Sequence, residues 1–354
     1  QYPVFGWTPP GVDAFCPFGA LESAFILIST GQFLARIAVS SFVLFAAVVL
    51  TALLFRRSFC GNVCAFGALQ EFVGKLRRLF TRKKRFTLPR RIDRAARFLK
   101  YGVLVFFIYF TWRAGELVIR PYDPWVTYHH ILSADLFAEF LIGFCVLIVS
   151  LIGSVFYDRF FCKYLCPMGA FLGLINRAGL FRVERNDETC IHCGKCDQAC
   201  PVNIKVEAVK YVQSSECLNC HECVNGCPVE HTLFVSGPGK VRIGPKAVMG
   251  ISIVLFVIVV AVASVTGGFA WSTQSIAEMT AEGRVFNPDD IKGRDTFLAV
   301  AEASGVPLDV LRERFSLTEA ELSQPIREVA GTNGREFDTD EVREFVREYV
   351  RGAP

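Results

Sequence analysis

The stretch from Cys190 to Cys227 constrains this chain more than any other. It holds one cysteine run twice: Cys190, Cys193, Cys196 and Cys200 ahead of Pro201, then Cys217, Cys220, Cys223 and Cys227 ahead of Pro228. CxxCxxCxxxCP in duplicate is the spacing that ligates paired [4Fe-4S] clusters, with the fourth cysteine of each run crossing to the other cluster. One set is therefore Cys190, Cys193, Cys196 and Cys227, and the other Cys217, Cys220, Cys223 and Cys200. Two-residue gaps let three thiolates close around one face of a cubane, and the proline ends the run so that the fourth points away. A four-thiolate zinc site also uses CxxC pairs, but it does not account for eight cysteines in two identical runs. A disulfide framework belongs to secreted chains.

The rest of the chain is too apolar for an ordinary soluble enzyme. Of 354 residues, 52% are hydrophobic, and the mean hydropathy is +0.37. Membrane helices are expected. Residues 1–32 read as an extracytoplasmic or interfacial leading segment, rich in Pro and Gly, ending in a short helix around residues 24–28. Residues 33–179 read as a membrane domain with spans at about 33–55, 98–119 and 136–157. Between the first two spans, residues 56–97 hold thirteen Lys or Arg against two acids, which marks that loop as cytoplasmic. An α+β two-cluster ferredoxin domain at 180–236 then falls on the same, cytoplasmic side. A fourth span at 247–268 leads to residues 269–354, which carry ten basic and seventeen acidic groups and no cysteine. They read as a small all-α extracytoplasmic domain. Within it, VAEASGVPL and VAGTNGREF share one pattern, a helix ended by Gly305 or Gly334 with a second helix after it. The expected fold is an α-helical integral membrane protein of a bacterial or archaeal inner membrane, with the ferredoxin inserted.

A second cysteine set lies outside the ferredoxin. FRRSFCGNVC (55–64) and YDRFFCKYLC (157–166) align at a fixed offset of 102 residues, each directly after a span that runs toward the cytoplasm. Cys60, Cys64, Cys162 and Cys166 should thus sit at equivalent depth on one side. Three readings stay open: a third iron-sulfur cluster at the membrane surface, a redox thiol pair or Cu(I) site, and small residues packed in a turn. Cys16 opens a similar CPFGA pentapeptide, but the topology places it outside, away from the other four. Cys145 reads as a small core residue of the third span. His192, His221 and His231 flank the cluster loops, in tuning or capping roles.

Ionisable groups gather at the outer end of the membrane domain: Arg36, Arg113, Glu116, His129, His130, Asp135 and Glu139. Intramembrane charges tend to be functional, and quinone chemistry couples electrons to protons that histidines and carboxylates relay. His129, His130 and Glu139 are the candidates for a quinone or proton site. Interfacial anchoring is the plainer reading of the same residues. No substrate-converting catalytic site is read from the chain. The basic run lies between two spans and gives no support to nucleic-acid binding.

With both cysteine sets in view, the chain resembles the NapH/NosR-type membrane polyferredoxins. The resemblance covers roughly residues 11–236 and rests on CxxxCP at Cys162 to Cys166, its near copy at Cys60 to Cys64, and the paired run at Cys190 to Cys227. It implies electron transfer between the quinone pool and a partner redox protein, within a larger membrane complex, and a further span ahead of Gln1. The chain departs from the family pattern in three ways: Ala65 stands where a proline would follow Cys64, the flavin-binding region of NosR-like proteins is absent, and residues 269–354 are additional. Two rival readings are a metal-reducing maturation factor resembling the CcoG-like polyferredoxins, and a membrane anchor for a soluble dehydrogenase.

Overall fold

A computed structural model describes residues 17–30, 39–81, 89–114, 118–129, 131, 140–269, 276, 286, 288, 291, 293–330 and 337–352. These fall into two compact units, one within Val12–Ala270 and one within Trp271–Pro354.

The first unit is mostly helical. Helix α1 (Pro17–Thr30) starts at a proline, whose missing N–H costs nothing in a first turn. It is therefore longer than the expected helix at 24–28, and it buries Phe18, Ala20 and Glu22. Helix α2 (Val39–Phe55) packs on α1, and α3 (Ala65–Thr81) forms inside the basic loop. Phe66, Gln70 and Gly74 recur on one face of α3 and are buried, while Phe72 and Leu76 are exposed.

Helix α4 (Arg90–Ala114) begins eight residues before the expected span at 98. Its first turns are held by aqueous chemistry, an Arg97–Asp93 ion pair at 2.6 Å and an Arg97 Nη2 donation to the Val202 carbonyl at 2.8 Å. A short α5 (Pro124–His129) then packs on α6 (Leu141–Phe156). Gly143, Leu147, Ser150 and Ser154 form the buried stripe of α6, one residue every three or four. Cys145 falls on the opposite face and is exposed, which corrects its reading as a core residue.

Helices α7 (Phe160–Tyr164) and α8 (Pro167–Ile175) follow, and α8 packs on α4. After the ferredoxin comes α11 (Pro245–Val265), which packs on α2. By length and composition, Arg91–Arg113 and Pro245–Val265 are long and apolar enough to cross a bilayer, and Ser40–Phe55 and Leu141–Phe156 are shorter apolar helices. Hydroxyls within them donate back to their own helix, Thr51 to the Ala47 carbonyl, Ser154 to Ser150 and Ser252 to Val248, each at 2.7 Å. These three hydroxyls are thereby satisfied without water.

The ferredoxin region is a three-stranded antiparallel sheet, β1 (Arg182–Arg185), β2 (Leu233–Ser236) and β3 (Arg242–Ile243), in that order, with Val183 opposite Val235 and Val235 opposite Ile243. The third strand lies past the expected end at 236. Two short helices, α9 (Lys195–Ala199) and α10 (Glu222–Asn225), each carry cysteines. This region is sewn to the end of α2. Leu180 and Phe181 N–H donate to the Leu53 and Leu54 carbonyls at 3.2 and 3.0 Å, Asn219 Nδ2 donates to the Phe55 carbonyl at 2.9 Å, and the rings of Phe55 and Phe181 stack at 5.1 Å. Such a ring pair contributes about 0.5–1.5 kcal/mol beyond its buried area.

The second unit holds α12 (Phe297–Ser304), α13 (Leu308–Phe315), α14 (Ile326–Ala330) and α15 (Thr339–Gly352) around Phe297, Val300, Leu311, Phe315, Ile326, Val329, Val342 and Val346. Thr296 caps α12 by accepting from Ala299 N–H at 3.2 Å, and Gly305 ends it at φ 74°. Thr296 and Pro325, each four residues ahead of a repeat, form an antiparallel bridge, and the leading valines of the two copies, Val300 and Val329, lie in the same core. Gly334 lies outside the described residues.

Candidate iron-sulfur centres

The backbone explains why the ferredoxin runs take this form. His192 (φ 51°) and Gly194 (φ 66°) flank Cys193 in left-handed conformation, and Asn219 (φ 50°) and His221 (φ 61°) flank Cys220 the same way. Alternating hands turn successive amide N–H groups to one side, a concavity that suits anionic sulfur. The histidines near the runs are thus partly turn residues. His192 is exposed, with Nδ1 3.3 Å from Glu207, whereas His221 is buried, and burial holds its imidazole down at about 4.

One small cavity is lined by Cys190, Cys193, Cys196 and Cys227, and a second by Cys200, Cys217, Cys220 and Cys223. Each fourth cysteine reaches the other run's cavity. The two differ in exposure: Cys193 is exposed in the first, whereas Cys200 and Cys217 are buried in the second. Ile204 N–H donates to Cys200 Sγ at 3.3 Å.

The other set converges as well. Cys60 sits in a π-helical turn (Phe59–Val63), Cys64 precedes α3, Cys162 lies in α7, and Cys166 caps α8. All four line one apolar cavity of about 460 Å³, which Phe18, Phe107, Tyr122, Asp123 and Trp125 also line. The two repeats hold their sulfurs alike: Gly67 N–H faces Cys64 Sγ at 3.5 Å and Gly169 N–H faces Cys166 Sγ at 3.2 Å. Burial, then the neighbouring Cys162 and Cys60, push the Cys64 thiol up to about 12, and burial pushes Cys166 well above its ordinary value. Thiols in this state keep their protons unless metal takes the proton's place. The donor set fits an iron-sulfur group. Among the described residues no three His, Cys, Asp or Glu side chains close to the spacing that one metal ion requires; each cysteine set instead surrounds a hollow.

This set abuts the ferredoxin. A Cβ on Gly61 would meet the Leu218 carbonyl at 2.5 Å and Cys220 Cβ at 3.3 Å, and Cys60 packs in one cluster with Cys200, Leu218 and Cys220. Only glycine permits that approach.

Several residues beside the cysteines escape the motif reading. Lys100 Nζ sits 2.6 and 2.7 Å from the two carboxylate oxygens of Glu216, and Arg57 Nη1 lies 3.7 Å from the same carboxylate. Arg159 donates to the Cys60 and Gly61 carbonyls and pairs with Glu71. The available signal was the repeat itself, because Arg57 and Arg159 occupy equivalent positions three residues before Cys60 and Cys162. Glu22 is buried against α4, where Thr111 Oγ1 donates to it at 3.0 Å. Cys16, Arg36, Glu116, His130, Asp135 and Glu139 lie outside the described residues. His129 ends α5.

Comparison with known proteins follows the same division. A family model described as a 4Fe-4S binding domain matches residues 37–85 and again 139–186, once over each CxxxC repeat, and a 4Fe-4S dicluster domain matches residues 182–229. The chain is similar to the putative electron transport protein YccM of Escherichia coli K12, 35% identical over 214 residues, which are 59% of this chain and 58% of that protein. It is similar to the uncharacterized protein MJ0750 of Methanocaldococcus jannaschii, 30% identical over 192 residues, 54% of this chain and 74% of that one. The ferredoxin-type protein NapH of Escherichia coli K12 is 26% identical over 176 residues, 49% of this chain and 57% of NapH. The chain thus spans somewhat over half the length of YccM and NapH. No solved structure matches it.

Proposed function

This chain belongs to the NapH/NosR-type ferredoxin family, and from that premise we propose that it carries single electrons between a membrane quinone and a partner redox protein. Three cysteine sets would hold [4Fe-4S] clusters: Cys190, Cys193, Cys196 and Cys227 at the surface, Cys200, Cys217, Cys220 and Cys223 inside, and Cys60, Cys64, Cys162 and Cys166 at the membrane edge. When bound, such clusters supply one-electron carriers. The observation that carries the reading is the contact of Gly61 with Leu218 and Cys220, which leaves no layer of protein between the membrane-edge set and the inner one.

The chain's own residues supply the rest. Apolar helices α2, α4, α6 and α11 form a multi-pass membrane domain, and the thirteen basic groups of residues 56–97 hold the ferredoxin on the cytoplasmic side. The second unit is then extracytoplasmic. The cavity that the four membrane-edge cysteines line suits a quinone ring: its other walls are mostly aromatic and aliphatic side chains, with Tyr122 and Asp123 among them. Oxidising a quinol releases two electrons and two protons. Asp123 on the cavity wall, and Glu22 buried against Thr111, offer carboxylates for those protons. The cavity is a candidate quinone site beside that of His129, His130 and Glu139.

The test is anaerobic. The protein in mild detergent is reduced chemically, freed of excess reductant, and mixed with a menaquinone analogue while absorbance and EPR are followed. Reoxidation well above that of a soluble two-cluster ferredoxin, and slowed in Glu22→Gln, is expected. Reoxidation no faster than that control would overturn direct quinone exchange.

A further inference from the structure

Each CxxxC repeat carries an arginine three residues ahead of its first cysteine, and in the fold each arginine crosses to the other repeat. A Cβ on Gly67, after Cys64, would lie 2.6 Å from Arg159 Nη1; one on Gly169, after Cys166, would lie 2.7 Å from Arg57 Nη2. Gly67 and Gly169 are the residues whose amides face the cysteine sulfurs. A side chain at either place would collide with the guanidinium, so glycine there lets each arginine sit against the residue whose amide faces the sulfur.

Both arginines are 1% exposed. A buried cation is costly unless a counter-charge meets it. Arg159 has Glu71 at 2.5 Å. Arg57 is met less closely: Nη1 donates to the Ser215 carbonyl at 3.3 Å, and Glu216, 3.7 Å away, is already held by Lys100 at 2.6 Å. Two cations thus share one carboxylate. Arg57 Nε and Nη2 and Arg159 Nε make no hydrogen bond among the described residues. Arg57 Nη2, the atom that lies next to Gly169, is among those left over.

We propose that Arg57 and Arg159 are a crossed pair of charge-compensating residues that raise the reduction potential of the group held by Cys60, Cys64, Cys162 and Cys166. The proposal rests on the membrane-edge cluster reading. Four thiolates around a [4Fe-4S] core carry a formal charge of about −2, and about −3 after one electron is added. In this water-poor site the extra charge is met by two guanidiniums that never titrate, so the electron enters without a proton and without any bond made or broken. The group beside the quinone cavity thereby becomes a better electron acceptor than an uncompensated cluster would be. Fixed cations in place of water are how a buried centre keeps a usable potential.

The experiment uses the full chain in detergent, with iron analysis and EPR-monitored redox titration. Wild-type protein should hold about twelve irons per chain, and the Cys162→Ser, Cys166→Ser double variant about eight. Equal iron in the two would sink the cluster reading itself before the arginines are tested. Given the difference, Arg57→Gln and Arg159→Gln should each lower the midpoint of the signal that the double variant lacks. The expected drop is at least tenfold in the equilibrium constant, about 59 mV for one electron. Arg57→Lys should restore most of it, and the signal of the Cys190 set should not move. An unmoved midpoint in both glutamine variants overturns the proposal. Where a glutamine variant loses the signal with its iron, retention in the lysine variant supports charge compensation, and loss in both assigns the arginine a packing role and overturns it.

Discussion

The Cys190 set and the Cys60 set offer the same four thiolates in opposite surroundings. Around the first, Cys193 is exposed, His192 reaches Glu207 in solvent, and Lys205 pairs with Asp197 at the surface. Around the second, mostly apolar side chains line a cavity whose charged members are Arg57 and Asp123, and the buried Arg159 is tied to carbonyls and to Glu71. The first comes from a single local run with its crossed partner; the second needs two repeats 102 residues apart brought together (Cys60 with Cys162). Ligand type sets what can bind, and surroundings set what a bound group does: on the function proposed above, the exposed set would serve a soluble partner and the apolar one a quinone.

The largest effect should come from deleting one end at a time. Cys162→Ser with Cys166→Ser is expected to remove about four irons per chain and to drop quinone-driven reoxidation of the remaining centres to the soluble-ferredoxin rate. Cys193→Ser is expected to remove a similar amount of iron yet leave quinone reoxidation of the rest intact. If both variants lost quinone reactivity equally, the division of labour would be wrong.

Next in size is a contrast of ion pairs. Lys100→Met leaves Glu216 buried without its close partner, and a broken buried pair costs about 3–5 kcal/mol, read as a lower unfolding midpoint of the ferredoxin region. Lys100→Met with Glu216→Leu should recover most of that loss. Lys205→Ala, whose side chain is 65% exposed, should change stability by less than about 1 kcal/mol. Similar losses at Lys100 and Lys205 would contradict the burial contrast.

A smaller effect is expected at the junction. Gly61→Ala places a methyl 2.5 Å from the Leu218 carbonyl, so the membrane-edge turn must shift away from Cys220. Electron exchange between quinone and the ferredoxin centres should slow by a few-fold, or roughly 1 kcal/mol in barrier, in stopped-flow absorbance. Gly244→Ala, with nothing within 4 Å of the added carbon, is the control and should behave as wild type.

The smallest concerns pH. Burial opposes ionisation of Glu71, but hydrogen bonds from Lys75 and Arg159 prevail and hold its carboxyl below the usual range. The unfolded chain then binds this proton more readily than the folded one, so the contribution is complete above the ordinary carboxylate pKa and is lost as pH falls through the lowered folded value. With Glu71 partly exposed, the effect is under about 1 kcal/mol. Glu71→Gln should flatten that part of the acid limb in a stability-against-pH curve, and an unchanged curve would remove Glu71 as a counter-charge of Arg159.

Much of this was legible in the chain. The crossed pairing of Cys200 and Cys227 followed from spacing alone, because ligation of a compact cluster imposes short local gaps. The second set followed from the 102-residue repeat. What escaped depended on neighbours distant in sequence. Helix α4 begins early because Arg97 finds Asp93 and the Val202 carbonyl, and residue hydropathy does not register such partners. Cys145 was misjudged because an apolar run does not reveal which of its faces meets protein; the small residues Gly143, Ser150 and Ser154 decided that.

By itself, the sequence determined the cysteine sets, the apolar helices, the basic loop and the glycine that closes α12, because each depends on bonding or burial within a few turns of chain. Only the tertiary structure decided that Gly61 lies against Cys220, that Arg57 and Arg159 exchange repeats, and that Lys100 shares Glu216 with Arg57. Those contacts join residues scores to more than a hundred positions apart. They exist because close packing around the end of α2 leaves room at glycines alone, and because a buried charge has to be answered by whatever group the fold brings within reach.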